Sequence, residues 1–333
     1  MYTNYLVTGA AGFLGRTVVS LLSQRAAHIR ALVMKNDRFA KELPEGVEIF
    51  YGDICDEQSL KQFFSNAGTG TCVIHCAGIV SVASRPGEQI YRVNVGGTNN
   101  ILRYCEKHEV GRLIYVSSVH AIPEKAKGIC IAEAKAFSPD LVKGDYGKSK
   151  AIATSLVFEA AERGLKVNVV FPSGMIGPGD LGKGSMTSML LSFLKGRMPF
   201  AVKGGYDFVD VRDVAQGIIF CAELASPGKG YILSGHRASI RDILEIAGQK
   251  ASVNRKCIFL PLILARAAAP AYEKICLKKG LPLYFTPYSI SVLGSGGCFT
   301  RKAAADAFGY SPRPLENSIH DMILYFQHSF GML

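Results

Sequence analysis

The chain has 333 residues, 48% hydrophobic and 20% charged, with a formal net charge of +11, which is enough for one large core or two modest ones and suits an anionic ligand such as a phosphorylated cofactor. Its lysines and arginines are spread along the chain with no zinc-finger or RNP signature, which speaks against nucleic-acid binding. The nine cysteines form no CxxC pair and fit neither a disulfide framework nor a zinc site, so reduced, buried thiols and no metal are expected.

The start, Met1 to Tyr5, shows neither a basic n-region nor an apolar h-region, so no signal or transit peptide is expected and the cytoplasm is the expected compartment. The first predicted strand, Tyr5–Thr8, runs directly into Gly9-Ala10-Ala11-Gly12-Phe13-Leu14-Gly15, which opens a predicted helix from Phe13 to Gln24. Between a strand and a helix, such a loop lets the helix N-terminus face a diphosphate. Gly9 is expected to make the tight turn, Gly12 to let the backbone approach the phosphates and Gly15 to pack helix on strand. Ala11, Phe13 and Leu14 complete the cofactor-binding loop.

The second predicted strand is Ile29–Val33. An NAD-selective site usually places an acid at its end, whereas this chain reads Met34-Lys35-Asn36-Asp37-Arg38. Lys35 and Arg38 can neutralise a 2′-phosphate and the first carboxylate, Asp37, arrives late. The cofactor choice therefore leans towards NADP(H), with NAD(H) left open.

Further strands are predicted at Val47–Tyr51, Cys72–His75, Leu113–Ser117 and Val167–Phe171, with helices at Ser59–Phe64, Gln89–His108 and Tyr146–Arg163. This alternation predicts an α/β, Rossmann-type doubly wound parallel sheet. After Phe171 the chain becomes rich in glycine and proline, and the earlier style returns only around Phe208–Leu224, where Asp210 and Asp213 precede a helix. The expected division is a dinucleotide domain over 1–171 plus about 205–226, with a smaller, discontinuous α+β substrate domain over about 172–204 and 227–333. The apolar stretch Ile258–Ala271 is shorter than the ~20 residues that span a bilayer and is interrupted by Pro261, Arg266 and Pro270. It is expected to cover the substrate, with membrane-surface contact the alternative and no integral membrane segment.

Tyr146 and Lys150 stand one helical turn apart, after a strand whose end carries Ser117-Ser118. A phenol is a poor acid or base at neutral pH unless a neighbouring ammonium favours its ionised form. Tyr146 is thus the expected proton-transfer group, Lys150 its activator and a ribose ligand, and Ser118 a donor to the substrate oxygen. His75 and His120 are expected to be structural.

Together these segments resemble an extended short-chain dehydrogenase/reductase, in the branch shared by 3β-hydroxysteroid dehydrogenases and dihydroflavonol-reductase-like enzymes. The resemblance is carried by the glycine loop, Gly52-Asp53-Ile54, His75-Cys76-Ala77-Gly78, Asn94-Val95-Gly96-Gly97-Thr98, Tyr115-Val116-Ser117-Ser118, Tyr146-Gly147-Lys148-Ser149-Lys150, Pro172-Ser173-Gly174 and Phe208-Val209-Asp210-Val211-Arg212-Asp213. It implies that Asp53 and Ile54 hold the adenine, that Ala77 and Gly78 line the diphosphate and ribose, and that Pro172 and Ser173 lie beside the nicotinamide. Ser117 joins the cofactor-binding set. Asn94 is either a cofactor-site residue or a buried structural amide, and Asp213 is expected to be structural or capping. The family often has Arg or His where Phe171 stands, so a polar contact is expected to be missing there.

The implied activity is NAD(P)(H)-dependent interconversion of a secondary alcohol and a ketone. A hydroxysteroid, bile-acid-like or other hydrophobic ring substrate is the expected type, from the resemblance, the Ile258–Ala271 stretch and Tyr284, Phe285 and Tyr288. The alternatives are a sugar-nucleotide epimerase or dehydratase, against which Val119-His120-Ala121 counts, and a non-catalytic dinucleotide sensor. The partner is a small-molecule substrate, with a homodimer possible.

Overall fold

The computed structural model describes residues 2–331 except 26, 85–86, 126–128, 282 and 296. Its strands are β1 (Asn4–Thr8), β2 (His28–Val33), β3 (Glu48–Tyr51), β4 (Thr71–His75), β5 (Arg112–Val116), β6 (Val167–Pro172), β7 (Gly174–Ile176), β8 (Phe200–Val202), β9 (Gly205–Asp210), β10 (Lys229–Leu233), β11 (His236–Ser239) and β12 (Ile258–Leu260). The helices are α1 (Phe13–Ser23), α2 (Glu57–Phe63), α3 (Gln89–Tyr91), which passes through a π turn at Arg92–Gly97 into α4 (Thr98–Lys107), then α5 (Gly144–Glu162), α6 (Ser185–Leu194) and α7 (Val211–Leu224). They continue as α8 (Ile240–Lys250), α9 (Leu262–Lys279), α10 (Pro287–Ser295), α11 (Lys302–Phe308) and α12 (Leu315–Phe330).

Seven parallel strands form the main sheet in the order β10-β6-β5-β4-β1-β2-β3. The strand order reverses at β1, so the crevice beyond β1 and β4 is where a doubly wound sheet takes its ligand. Both faces are covered, which is why the strands read as nearly unbroken apolar runs. Leu6 packs on one side with Ile101 and Leu102 of α4 and Val157 of α5. Tyr5 and Val7 pack on the other with Val18 and Leu22 of α1 and Val214 and Ile218 of α7.

The six expected strands are all present. The seventh, β10, lies in the stretch expected to belong to the second region. It is a five-residue edge strand with a glycine at its second position, too short for a clear period-two pattern. Gly230 is needed there because a Cβ would stand 2.7 Å from Cε2 of Phe171. Phe171 stacks on Phe137, with ring centroids 5.4 Å apart, and Phe137 stacks on Phe158, so aromatic packing occupies the position where a polar contact was expected to be missing.

The expectation of reduced thiols is corrected at one pair, since Cys130 and Cys298 are disulfide-bonded. The parallel bridge between Ile131 and Phe299 brings together cysteines 168 residues apart, a proximity that spacing along the chain does not reveal. Asp210, not Asp213, caps α7, accepting from the Arg212 amide at 2.8 Å. Asp213 is structural, pairing with Arg313 at 2.8 Å.

His75 at the end of β4 is buried, with Nδ1 2.6 Å from Thr8 Oγ1 and Nε2 3.0 Å from Thr98 Oγ1, the structural role expected for it. Burial, with Lys150 assisting, lowers its pKa from 6.5 to about 3. Between these values the unfolded chain binds a proton that the folded chain refuses, so stability is full above pH 6.5 and declines as pH falls towards about 3. Denaturant unfolding of wild type and His75→Gln across that range is expected to give a shallower acid decline for the variant. An identical decline would remove His75 as the source.

Candidate active site

The glycine loop lies at the carboxyl end of β1. Gly9 has φ +65°, and a Cβ on it would stand 2.7 Å from the Ala77 amide nitrogen, so only glycine allows the β1 and β4 loops to touch. At Gly15 a Cβ would lie 2.1 Å from the Gly9 carbonyl oxygen, which seats α1 directly on the turn. Gly12 is the N-cap of α1, and no side chain caps that end. A Cβ there meets only the Gly9 carbonyl, at 3.2 Å. An uncapped N-terminus carrying partial positive charge beside a residue with no side chain fits a dinucleotide pyrophosphate. Ala11 is buried, Phe13 is half-buried and the Leu14 side chain is in the core, which leaves backbone as the loop's contribution.

Arg16 is a site residue that sequence reasoning did not single out. It donates to the Ala11 carbonyl at 3.0 Å and to the Gly179 carbonyl, tying the nucleotide loop to the glycine-rich stretch after β7. Its place one turn into α1 was legible, but its partner 163 residues away was not.

Lys35 is exposed beyond β2. The Asp37 carboxylate accepts from the Phe39 amide at 2.9 Å, and the Arg38 guanidinium lies over the Phe39 ring at 4.7 Å. Asp53 accepts from the Cys55 amide at 2.9 Å. The Ile54 side chain is buried beneath Gly97, where a Cβ would stand 2.4 Å from it, so Ile54 offers chiefly backbone to any ligand.

Asn94 makes the structural contacts that one of its two readings expected. Its Oδ1 accepts from the Ile79 amide at 2.7 Å, while Nδ2 donates to the Ile79 carbonyl and to Ser149 Oγ, each at 3.0 Å. The amide thus binds the loop after β4 to α5, the helix that carries Tyr146 and Lys150. Gly78 lies between them, its Cβ direction pointing at Asn94 Oδ1 at 3.1 Å and Lys150 Nζ at 3.5 Å.

Ser118, Tyr146 and Lys150 come together at the end of β5, all nearly buried. Burial raises the Tyr146 phenol above its ordinary value, and a hydrogen bond with Ser118 opposes that rise. The Lys150 ammonium donates to the Val116 carbonyl at 2.8 Å and to the Tyr115 hydroxyl at 3.4 Å, with the Tyr115 ring 4.9 Å away. Burial lowers its pKa to about 8, with Cys76 opposing. The expected depression of the phenol by Lys150 is not seen; burial dominates, only the Ser118 hydrogen bond opposes it, and Tyr146 holds its proton at neutral pH. Ser117 is turned elsewhere, 2.7 Å from Thr154 Oγ1 on α5. Pro172 and Ser173 are buried where β6 ends, and the Ser173 amide donates to the Leu233 carbonyl of β10 at 3.4 Å.

Beside the trio stands a wall of rings. The His120 ring lies 5.8 Å from that of Tyr146, stacks on Tyr206 at 5.7 Å, and its Nδ1 is 3.1 Å from the Tyr288 hydroxyl. Burial lowers the His120 pKa to about 4, with Glu124 opposing, so it is neutral at physiological pH. His120, Tyr206 and Tyr288 line two cavities. One continues past Ile131, Val142 and Phe299, and the other past Met186, Met189, Tyr284 and Phe285. The expected cluster of Tyr284, Phe285 and Tyr288 does face a cavity; Tyr206 and the two methionines were missed because no spacing links them to the cluster.

Residues 5–233 match the model of the NAD dependent epimerase/dehydratase family. "Sterol demethylase protein B" of Methylococcus capsulatus (strain ATCC 33009 / NCIMB 11132 / Bath) is 28% identical over 331 residues, covering 98% of this chain and 99% of that protein. A putative dihydroflavonol 4-reductase of Synechocystis sp. (strain ATCC 27184 / PCC 6803 / Kazusa) is 28% identical over 334 residues, covering 97% of this chain and 94% of its own. The crystal structure of gox2253 superposes with a TM-score of 0.84 at 28% identity, covering 98% of this chain and 99% of that one.

The glycine geometry separates ligand clash from fold clash. Gly12→Val is expected to weaken NADPH binding roughly 100-fold, or about 2.8 kcal/mol, at nearly unchanged melting temperature. Gly15→Val is expected to prevent folding. Fluorescence titration of the cofactor and thermal melts check both, and full NADPH affinity in Gly12→Val would move the pyrophosphate elsewhere.

Proposed function

The chain belongs to the NAD dependent epimerase/dehydratase family, as an extended short-chain dehydrogenase/reductase of the 3β-hydroxysteroid-dehydrogenase-like branch, and on that premise we propose that it interconverts a secondary alcohol and a ketone on a hydrophobic ring system of the sterol or bile-acid type. The observation that carries the reading is the placement of the Ser118–Tyr146 pair beside the aromatic wall of His120, Tyr206 and Tyr288. The names of both relatives refer to polycyclic compounds, which supports an apolar ring substrate against those walls.

A nicotinamide held at the crevice would supply or accept the hydride. In the reducing direction the Tyr146 phenol gives its proton to the substrate oxygen, and in the oxidising direction it receives one. Ser118 donates a hydrogen bond to the same oxygen and stabilises the charge that develops there. Lys150, held by the Val116 carbonyl and close to Gly78, is placed to bond the cofactor ribose and to compensate a transient phenolate. Gly9, Ala11, Gly12, Phe13, Leu14, Ala77 and Gly78 offer backbone to the cofactor, with Asp53 and Ile54 at the adenine end and Pro172 and Ser173 at the nicotinamide end. NADP(H) is the favoured cofactor, because the Asp37 carboxylate is taken up by its own turn while Lys35 remains exposed. The division into a cofactor region and a discontinuous substrate region stands as proposed, with β10 on the cofactor side.

Tyr146→Phe is expected to lower turnover of a steroid ketone by about 100-fold or more while cofactor affinity stays within a few-fold. Unchanged turnover would sink the assignment. Because the chain has no tryptophan, NADPH fluorescence can report binding against little protein background. Lys35→Ala with Arg38→Ala is expected to weaken NADPH by about fivefold per charge, relative to NADH. Equal losses for both cofactors would refute the 2′-phosphate reading. Steroid ketones and nucleotide sugars assayed side by side separate the dehydrogenase from the epimerase reading.

A further inference from the structure

Helix α9 has an inner and an outer side of unlike chemistry. Ala265, Ala269, Glu273 and Cys276 are buried at helical spacing, and Glu273, the only acid of the helix, accepts from the amide and hydroxyl of Ser84 at 2.7 Å each. On the outer side Ile263 is 79% exposed and Leu264 57%, followed by exposed Ala267, Ala268 and Ala271. Ile275 and Leu277 are exposed near the far end, among Lys274, Lys278 and Lys279. The strand leading into the helix also bears exposed apolar residues, Ile258 pairing directly with Phe200.

From 258 to 281 every exposed charge is positive, and the single carboxylate is spent internally. Two copies meeting on this face about a two-fold axis would bring like charges together. An anionic bilayer instead receives aliphatic side chains at its acyl boundary while lysines reach up to the headgroups. No helix among the described residues is long and apolar enough to cross a membrane, so such contact would be peripheral.

We propose that the outer face of α9 is a peripheral docking surface for a bilayer containing anionic phospholipids. The helix lies in the interfacial plane with Ile263 and Leu264 inserted and Lys274, Lys278 and Lys279 on the headgroups. The proposal stands whatever the substrate is.

The test is co-sedimentation of the full chain with vesicles of phosphatidylcholine and phosphatidylglycerol, against vesicles of phosphatidylcholine alone. Binding is expected to the mixed vesicles, to weaken with salt, and to be largely absent from the neutral ones. Ile263→Glu with Leu264→Glu is expected to abolish it. The charge-reversed variant Lys274→Glu, Lys278→Glu, Lys279→Glu is expected to weaken it by about fivefold or more per lysine. NADPH affinity reports that both variants keep their fold. Absence of wild-type binding, equal binding by the variants, or a wild-type dimer that Ile263→Glu with Leu264→Glu converts to monomers would each overturn the proposal.

Discussion

The site depends on backbone contact at the junction of β1 and β4. Gly9 must have no side chain because the Ala77 amide occupies its Cβ position, and Gly15 must have none because the Gly9 carbonyl occupies its own. From that contact a continuous line of bonds runs outward. Thr8 Oγ1 accepts from the Ala77 amide, Asn94 holds Ile79 two residues on, and Ser149 joins Asn94 to α5. The glycine loop and the helix that carries Tyr146 and Lys150 are thus positioned by one chain of small residues and satisfied amides. Such buried networks fix geometry best when every member has a partner.

Desolvation sets the electrostatics of the same region. Burial holds His75 and His120 uncharged and raises the phenols of Tyr115, Tyr146 and Tyr206. Within the trio the charge is that of Lys150, its pKa lowered by the same burial. The Ser118 hydrogen bond is what opposes the rise of the Tyr146 phenol. Tyr146 rests protonated, a state fixed by desolvation.

The cofactor half was legible in the sequence because parallel strands covered on both faces read as apolar runs and because a glycine loop between strand and helix has few other uses. The Tyr-x-x-x-Lys spacing also survived, since one helical turn fixes it. What escaped depends on contacts across the chain. Strand β10 is short and glycine-bearing, the Cys130–Cys298 bond spans 168 residues, and Arg16 finds its partner at Gly179. The serine pair shows the limit at single-residue scale. Ser118 reaches Tyr146 while Ser117 reaches Thr154, and nothing in their adjacency tells which hydroxyl goes where.

His120 joins the two halves. Its carbonyl oxygen lies where a Cβ on Gly147 would come within 2.8 Å, so the residue after Tyr146 has to be small. Its ring meets Tyr206 of β9, in the stretch expected to belong to the cofactor domain, and Tyr288 of α10, in the stretch expected to hold the substrate. The catalytic edge therefore touches the cavity wall through a residue that is neutral and titrates far below physiological pH. The wall is also packed on α5 itself, since a Cβ on Gly144 at the start of that helix would stand 2.5 Å from Cε2 of Tyr288. The rings and the helix that carries Tyr146 and Lys150 are therefore held against each other rather than independent.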